Sequence, residues 1–354
     1  MTKRPYVPPH EFNVDFPHLM LRHRAAEERA GKVRWADRAL AETDRNGQMA
    51  RPVAGLANWA SKRGNGLTRP LMEAIAGIDR DAALPKFHAR TFELRARSSA
   101  CEPDATAPAF GRKAVLYATC FVNYNNPAIG EAARAVLAKN GVATEVVYPE
   151  CCGMPQFEQG ELPRVAAKAR NVAAALLPFI ERGYDIVALV PSCALMVKFE
   201  WPLLLPRDES VAKLAAASFD LSEYIVDIAK KEGIAPGMTA LPGGVSLHLA
   251  CHARAQNMGA KAAEMLRLLP QPALDVIERC SGHGGPFGVV RPTHEVAVKV
   301  GRPVFRTAEK QSRGHIVSDC PLAAQHIVAH TQTPARAPEH PIQIMARAFG
   351  LRRD

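Results

Sequence analysis

From residue 114 onward, short apolar runs alternate with longer segments in which apolar residues recur every three or four positions. The short run "AVLYAT" predicts a buried β-strand, and "ATEVVYP" and "DIVALVP" predict two further strands. The longer segments, "PAIGEAARAVLAKNG" and "PRVAAKARNVAAALLPFIERG", predict helices. Strands that alternate with helices across short connections predict a parallel, doubly wound α/β sheet.

The same pattern starts again after the Pro- and Gly-rich link "GIAPGMTALPGG". Three further runs, "VSLHLA", "ALDVIE" and "HIVSD", predict strands, and the segment after each of them predicts a helix. Each half also ends in a predicted closing helix, "FDLSEYIVDIAKKEGI" in the first and "HPIQIMARAFGL" in the second. We therefore predict two duplicated parallel-sheet α/β units, at residues 111–240 and 241–354.

Residues 1–110 have a different pattern. Short helical segments such as "FPHLMLRHRAAEERAG" and "PLMEAIAGI" are interrupted by Pro and Gly, and no run predicts a strand. A Pro-rich link, "EPDATAPAFGRK", separates this region from the first predicted strand. We expect a helical N-terminal extension that packs against the two units.

Seven of the eight cysteines follow predicted strands, and their spacing repeats. The intervals are 31 and 42 residues in the first unit, between Cys120, Cys151 and Cys193, and 29 and 40 residues in the second, between Cys251, Cys280 and Cys320. Cys152 adds a fourth thiol to the first unit, whereas the isolated Cys101 is predicted to be a buried apolar thiol. Because the carboxyl ends of parallel strands meet at one sheet edge, we expect the thiols of each unit to converge there.

Thiols gathered at a sheet edge point to metal chemistry. The segment "MTKRPYVPPHEF" lacks the apolar core of a secretory leader, and the longest apolar runs are too short to span a bilayer. We therefore expect a cytoplasmic protein, in which clustered cysteines bind metal or carry out redox chemistry. Four thiolates suit zinc or an iron–sulfur cluster. Zinc sites usually recruit paired C-x2-C ligands, which this sequence lacks, so the dispersed thiols favour a cluster.

Two histidines, His252 and His283, lie one and three residues after cysteines. Either could complete a Cys3His set or hydrogen-bond to a ligand, and both roles stay open. The segment "CSGHGG" lacks the Lys-Ser/Thr of a P-loop and the G-x-G-x-x-G spacing, which disfavours nucleotide binding. In "CALMVKFEWPLL", apolar residues at helical spacing predict core packing, and we expect Lys198 and Glu200 to be solvated.

The positive charge is concentrated near the N-terminus. The formal net charge is +10, and residues 1–100 hold 18 Lys and Arg against 11 Asp and Glu. These basic residues lack an interleaved aromatic stacking pattern, which disfavours nucleic acid as the partner. We expect the extension to dock on an acidic protein.

The motifs "C…ECCGMP…PSC" and "ACHARAQNMG…RCSGHGG…SDCPLAA" resemble the tandem cysteine-rich CCG domains of the heterodisulfide reductase B-subunit superfamily. That superfamily includes the iron–sulfur subunits of anaerobic glycerol-3-phosphate dehydrogenase and glycolate oxidase. The resemblance covers residues 113–354, and "RPYVPPHEFNVDFPHLMLR" is similar to the segment that follows a ferredoxin module in larger members. It implies one or two iron–sulfur clusters per chain, of the [4Fe–4S] type, held by the seven strand-end cysteines.

The sequence departs from the family pattern at three positions. Met196 and Ala323 stand where the pattern has a later cysteine, and Ser281 replaces the second cysteine of the CCG motif in the second unit. The ferredoxin module is expected to be missing, because Arg4-Pro5 stands where larger members have Cys-Pro. The resemblance implies an electron-transfer subunit of an oxidoreductase, either dehydrogenase-linked or disulfide-reductase-like. It implies a ferredoxin-like or dehydrogenase partner, with peripheral membrane association left open. A zinc- or cluster-stabilised binding module without turnover is the alternative.

Overall fold

Two parallel β-sheets organise the chain in a computed structural model that describes residues 11–12, 14–332 and 337–351. The first sheet has the order β2-β1-β3-β4 and the second has the order β6-β5-β7. The strands are β1 (Lys113–Tyr117), β2 (Ala143–Val147), β3 (Asp185–Ala188), β4 (Ser218–Asp220), β5 (Val245–His248), β6 (Leu274–Ile277) and β7 (His315–Ser318). All pairings are parallel, which confirms the predicted duplicated α/β fold class.

The order β2-β1-β3 in the first sheet corresponds to β6-β5-β7 in the second. Only β4 has no counterpart among the described strands, and the sequence pattern did not predict it. This strand has three residues, "SFD", and a helix starts directly after it. A segment that short provides no recognisable apolar run.

Helices cover both sheets. In the first unit they are α7 (Cys120–Tyr124), α8 (Pro127–Lys139), α9 (Met154–Gln159), α10 (Leu162–Ile180), α11 (Pro191–Leu195), α12 (Trp201–Leu204), α13 (Glu209–Ala216) and α14 (Leu221–Lys231), with a π-helical turn at Met196–Glu200. In the second unit they are α15 (Cys251–Ala255), α16 (Lys261–Leu266), α17 (Arg291–Gln311), α18 (Pro321–His330) and α19 (Pro341–Ala348), with a 3₁₀ turn at Gly285–Gly288.

The closing helices join the units. Helix α14 packs against α16 of the second unit, and α19 packs against α8 of the first. Ile342 and Met345 of α19 lie in the apolar core of the first unit, whereas Ile344 lies in the core of the second. The free energy of burying these side chains therefore links the two units.

The N-terminal extension contains six described helices: α1 (Phe16–Arg29), α2 (Trp35–Ala41), α3 (Thr43–Ala50), α4 (Ala54–Ser61), α5 (Thr68–Ala76) and α6 (Phe92–Arg97). The described part of residues 11–110 has no strand, as the pattern predicted. Helices α1 and α2 pack on α9, α3 packs on α7, and α6 packs on α8. At Gly160, with φ of +85°, a Cβ atom would lie 2.6 Å from the backbone of α1. The close approach therefore requires glycine.

The prediction that Lys198 and Glu200 are solvated is wrong. The Lys198 ammonium pairs with Glu223, and Glu200 Oε2 lies 2.8 Å from His18 Nε2. Both side chains are largely buried, because the π-helical turn places them against α14 and α1. Cys101 is half-buried, and its thiol lies 3.6 Å from the Arg134 carbonyl.

Candidate metal centre

Four thiols lie together at the carboxyl edge of the first sheet, and we call this group site one. Cys120 begins α7 after β1, Cys151 and Cys152 lie between β2 and α9, and Cys193 lies in α11 after β3. The Cys151 and Cys120 sulfur atoms are 3.5 Å apart, and those of Cys152 and Cys193 are 3.1 Å apart. The structure thus brings together all four cysteines that the sequence assigned to this edge.

The backbone around the doubled cysteine is held by hydrogen bonds. Gly153 has φ of +81°, and its N–H lies 3.5 Å from Cys151 Sγ. Trp201 Nε1 donates to the Cys152 carbonyl at 3.2 Å, and the Tyr117 hydroxyl donates to the Glu150 carbonyl at 2.7 Å. These bonds fix the loop in a position where the Cys151 sulfur contacts that of Cys120 and the Cys152 sulfur contacts that of Cys193.

Among Cys120, Cys151 and Cys152 of site one, Cys151 is the thiol that loses its proton most readily. The pKa of this thiol is lowered well below its ordinary value because Cys120 and Cys152 hydrogen-bond to it, with further bonds from Thr43 and Gly153. The pKa values of Cys120 and Cys152 are raised by the same shared hydrogen bonds and by burial. A buried thiolate stabilised in this way is ready to bind a cation.

Sequence reasoning missed two residues of the extension that contact site one. Thr43 Oγ1 donates to Cys151 Sγ at 3.2 Å, and Asp44 Oδ2 accepts from the Cys151 backbone N–H at 3.0 Å. Lys168 Nζ lies 3.1 Å from Asp44 Oδ2. No pattern in "ETDRNG" indicates this contact, since it joins residues 107 and 108 positions apart.

Three cysteines occupy the corresponding edge of the second sheet, and we call this group site two. Cys251 begins α15 after β5, Cys280 follows β6, and Cys320 precedes α18 after β7. Cys251 and Cys280 are exposed and hydrogen-bond to each other, whereas Cys320 is half-buried. Ser281 is buried beside them and 4% exposed. Site two therefore has fewer thiols than site one and faces solvent.

An arginine that sequence reasoning missed contacts site two. Arg254, one helical turn after Cys251, donates to its sulfur at 3.5 Å. The pKa of Cys251 is lowered to about 5, because Cys280 hydrogen-bonds to it and Arg254 adds a second bond. Burial raises the pKa of Cys320 to about 12.

The two sites adjoin. Helix α11, which carries Cys193, packs against α15, which begins at Cys251. Gln256 Nε2 donates to the Pro191 carbonyl at 3.3 Å and to Asp220 Oδ2 at 3.2 Å. One side chain of the second unit thus holds two loop ends of the first.

The two histidines considered as ligands, His252 and His283, are half-buried. Burial lowers the pKa of His252, and it lowers that of His283 to about 4, so both imidazoles are neutral. His283 Nε2 has no hydrogen-bond partner among the described residues. The His283 ring centroid lies 6.1 Å from that of His326. Its neutral form and free nitrogen are compatible with ligation, which stays a prediction.

The donor set suits an iron–sulfur cluster. Site one offers four thiols that form two sulfur–sulfur contacts, and four is the number of thiolates that such a cluster takes. No carboxylate hydrogen-bonds to their sulfur atoms in the described structure. Within residues 14–332 and 337–351, no group of three or more His, Cys, Asp or Glu side chains is arranged to hold a metal ion. The fit therefore rests on ligand chemistry and burial.

Comparison with known proteins supports this chemistry. The family described as "Cysteine-rich domain" (CCG) matches residues 114–198, which include all four thiols of site one. Lactate utilization protein A of Bacillus pumilus (strain SAFR-032) is 30% identical over 188 residues, covering 50% of this chain and 75% of that protein. The chain belongs to the CCG family.

The similarity to another CCG-family protein extends over nearly the whole chain. The C subunit of anaerobic glycerol-3-phosphate dehydrogenase from Escherichia coli (strain K12) is 27% identical over 313 residues, covering 88% of this chain and 76% of that protein. A solved structure of a hypothetical protein from Helicobacter pylori is 11% identical, with a TM-score of 0.44, over 74% of this chain and 54% of that one. The structural likeness is too weak to support an argument.

Proposed function

We propose that this CCG-family protein is an iron–sulfur electron-transfer subunit of an oxidoreductase. The observation that carries the proposal is the set of four thiols at site one, three of them buried and that of Cys120 half-buried, with sulfur–sulfur contacts of 3.5 Å and 3.1 Å. Cys120, Cys151, Cys152 and Cys193 would hold a [4Fe–4S] cluster, which accepts and releases single electrons. The chain contributes burial and hydrogen bonds to sulfur, which set the reduction potential.

The chain would carry one cluster at site one, or two if site two holds a second. Cys251, Cys280 and Cys320 supply three thiolates, and either His252 or His283 would complete the ligand set or leave one position open. The exposure of Cys251 and Cys280 supports a role for site two in exchange with an acceptor.

The partner is proposed to be an acidic dehydrogenase or ferredoxin-like protein that docks on α4 and α5. Side chains more than half exposed on this surface are Leu56, Trp59, Leu67, Leu71 and Ile75. Residues 45–72 contain no Asp or Glu, and four of their five Lys and Arg are exposed, namely Arg45, Arg51, Lys62 and Arg63. Exposed apolar groups beside uncompensated positive charge favour a partner whose apolar patch has an acidic rim.

The docking proposal is tested by purification from the native host at low and high salt. We expect a flavin- or iron-containing redox protein to co-purify at low salt, to reduce this chain and to dissociate at high salt. The variant Leu71→Glu should weaken the complex more than Leu203→Glu, which changes an equally exposed residue of the first unit. None of the described helices is long and apolar enough to cross a membrane. Equal binding of both variants, or binding to phosphatidylglycerol vesicles in place of a protein, would contradict the proposal.

The cofactor is tested by anaerobic purification followed by iron, zinc and acid-labile sulfide analysis and electron paramagnetic resonance (EPR). We expect iron and sulfide in equal amounts and a cluster signal on reduction. Stoichiometric zinc without sulfide would instead identify the alternative, a metal-stabilised binding module without turnover. A cytoplasmic location stays a prediction, which fractionation of the native host would check.

A further inference from the structure

Helix α3 of the extension contacts one cysteine of site one twice. Thr43 Oγ1 donates to Cys151 Sγ at 3.2 Å, and Asp44 Oδ2 accepts from the Cys151 N–H at 3.0 Å. Adjacent residues therefore engage the sulfur and the backbone of the same ligand candidate. No other described element outside the first unit donates a hydrogen bond to a sulfur of site one.

The Asp44 carboxylate is held from several directions. Lys168 Nζ lies 3.1 Å from it and 2.8 Å from Glu150 Oε2, and the Tyr148 hydroxyl also donates to Asp44. Lys168 and Asp44 are mostly buried, so solvent screens their attraction less than at an exposed pair. These contacts therefore fix the acceptor for the Cys151 N–H.

The position of α3 does not depend on Thr43. Gln156 Nε2 donates to the Ala41 carbonyl at 2.7 Å, and Arg164 pairs with Glu42. Gly47 packs on the Tyr124 ring so closely that an added Cβ would lie 2.4 Å from it. Removing the Thr43 hydroxyl should leave the helix in place.

We propose that Thr43 and Asp44 are positioning residues of site one, which makes the N-terminal extension a functional part of the metal centre. Asp44 holds the backbone of Cys151, and the Thr43 hydroxyl withdraws charge from its sulfur. A hydrogen bond to a ligand sulfur favours the more negative, reduced state and so raises the reduction potential. This tuning rests on the proposed function, whereas the positioning by Asp44 is measurable without metal.

The effect of Thr43 on the reduction potential of site one is tested by EPR-monitored redox titration of the intact, iron-loaded chain. Thr43→Val should shift the potential of site one to a more negative value, and Thr43→Ser should restore it. Thr307→Val is the control, because its hydroxyl donates to the Pro303 carbonyl in α17 and touches no cysteine. An unchanged potential in Thr43→Val, or a shift that serine fails to reverse, overturns the tuning.

The role of Asp44 in positioning Cys151 is tested on metal-free protein. The measured quantity is the rate at which iodoacetamide alkylates Cys151, with Cys101 as the internal reference. Asp44→Ala should accelerate the reaction about tenfold, because a charge-assisted hydrogen bond and an ion pair are lost together. Asp44→Asn, which retains an acceptor, should give a smaller increase. Asp208→Ala is the matched control, since Asp208 accepts from a backbone N–H and pairs with Arg170.

The outcomes separate the two proposals. Wild-type protein that binds no iron overturns the proposed function together with the tuning. Iron-loaded protein with an unchanged potential in Thr43→Val overturns the tuning alone. Equal alkylation rates in wild type and both Asp44 variants overturn the positioning role, whatever metal the protein binds.

Discussion

In the first unit the CCG loop is buried, whereas in the second unit Cys280 of the matching loop is exposed and Ser281 replaces the doubled cysteine. The loop backbones nevertheless agree. Gly153 and Gly282 have φ of +81° and +80°, and their N–H groups lie 3.5 Å and 3.4 Å from the sulfur two residues earlier. The local geometry of the two sites is shared, and their solvent exposure is not.

The difference comes from outside the repeated unit. At site one, α3 places Thr43 and Asp44 against Cys151. At site two, Cys251 stays exposed and its added hydrogen bond comes from Arg254 of its own helix. Duplication supplied two similar thiol edges, and the extension made one of them a covered site.

Substitutions at the second position of the CCG motif, Cys152 in the first unit and Ser281 in the second, should change the iron content of the two sites more than any other substitution. Cys152→Ser removes the fourth thiol, and a serine hydroxyl is a poor iron ligand at neutral pH. We expect site one to lose its cluster, so that iron and sulfide per chain fall to the amount held by site two. Ser281→Cys should increase iron retention at site two. Metal and sulfide analysis of both variants checks the prediction.

Cys101→Ser is the control for thiol loss, since Cys101 lies away from both sites. Ser281→Cys with more iron but lower electron transfer would show that site two works through an open position. Unchanged iron content in both variants would refute a ligand role for the doubled position.

Acid should destabilise the second unit first. Eight of the twelve histidines lie between residues 248 and 340, and residues 111–240 contain none. Burial lowers the pKa of His248 to about 4 and those of His326 and His340 to about 3. Below pH 6.5 the unfolded chain binds protons that these folded groups do not bind, so stability falls as pH falls. At pH 5 each group costs about 2 kcal/mol.

Buried carboxyl groups change stability with pH in the opposite direction to the histidines. Two of the three named below lie in the first unit, which increases the expected difference in acid stability between the two units. Burial raises the pKa of Asp220 to about 6 and of Glu158 to about 7 in the first unit, and of Asp319 to about 7 in the second. The folded state binds protons at these groups more readily, so they add stability as the pH falls. Hydrogen exchange on metal-free protein between pH 7 and about pH 5 should show earlier opening of the second unit, and His340→Asn should reduce that difference. Uniform opening would contradict the prediction.

Helix α19 provides a third comparison, because neighbouring side chains enter different cores. Ile342→Ala removes a side chain from the core of the first unit, and Ile344→Ala removes one from the second. Both residues are fully buried, so each substitution should cost about 2–5 kcal/mol. Hydrogen exchange should show loosening of the first unit by Ile342→Ala and of the second by Ile344→Ala. The same exchange pattern in both variants would indicate one cooperative unit.

Most of the strands and the placement of the thiols could be predicted from the sequence. Apolar runs predicted six of the seven described strands, because those strands are four or five residues long and each forms a recognisable apolar run, although most residues of β2 and β6 are only half-buried. Cysteine positions after strands predicted which thiols share a sheet edge, since parallel strands end at the same edge.

The rest depends on contacts between segments far apart in the chain. Thr43 lies 108 residues from Cys151, and Lys198 lies 25 residues from Glu223. Helical periodicity predicts that a face is buried, without predicting which element covers it. The repeat pattern likewise predicts two closing helices without predicting that α14 packs on the second unit and α19 on the first.

Arg254 should produce the smallest effect, because its hydrogen bond to Cys251 is exposed. The guanidinium stabilises the Cys251 thiolate, and an exposed charge interaction of this kind contributes about 0.2–1 kcal/mol. Because the pKa of Cys251 is about 5, the thiolate fraction is sensitive to this loss near pH 5, where Arg254→Gln should slow alkylation of Cys251 in metal-free protein by up to about threefold. Cys151 provides the internal comparison, because its lowered pKa derives from hydrogen bonds within site one and the extension, which this substitution leaves intact. Quantitative mass spectrometry of both peptides measures the two rates in one sample. Equal slowing at Cys151 would indicate a global change in the fold, and unchanged alkylation of Cys251 would show that Cys280 alone stabilises its thiolate.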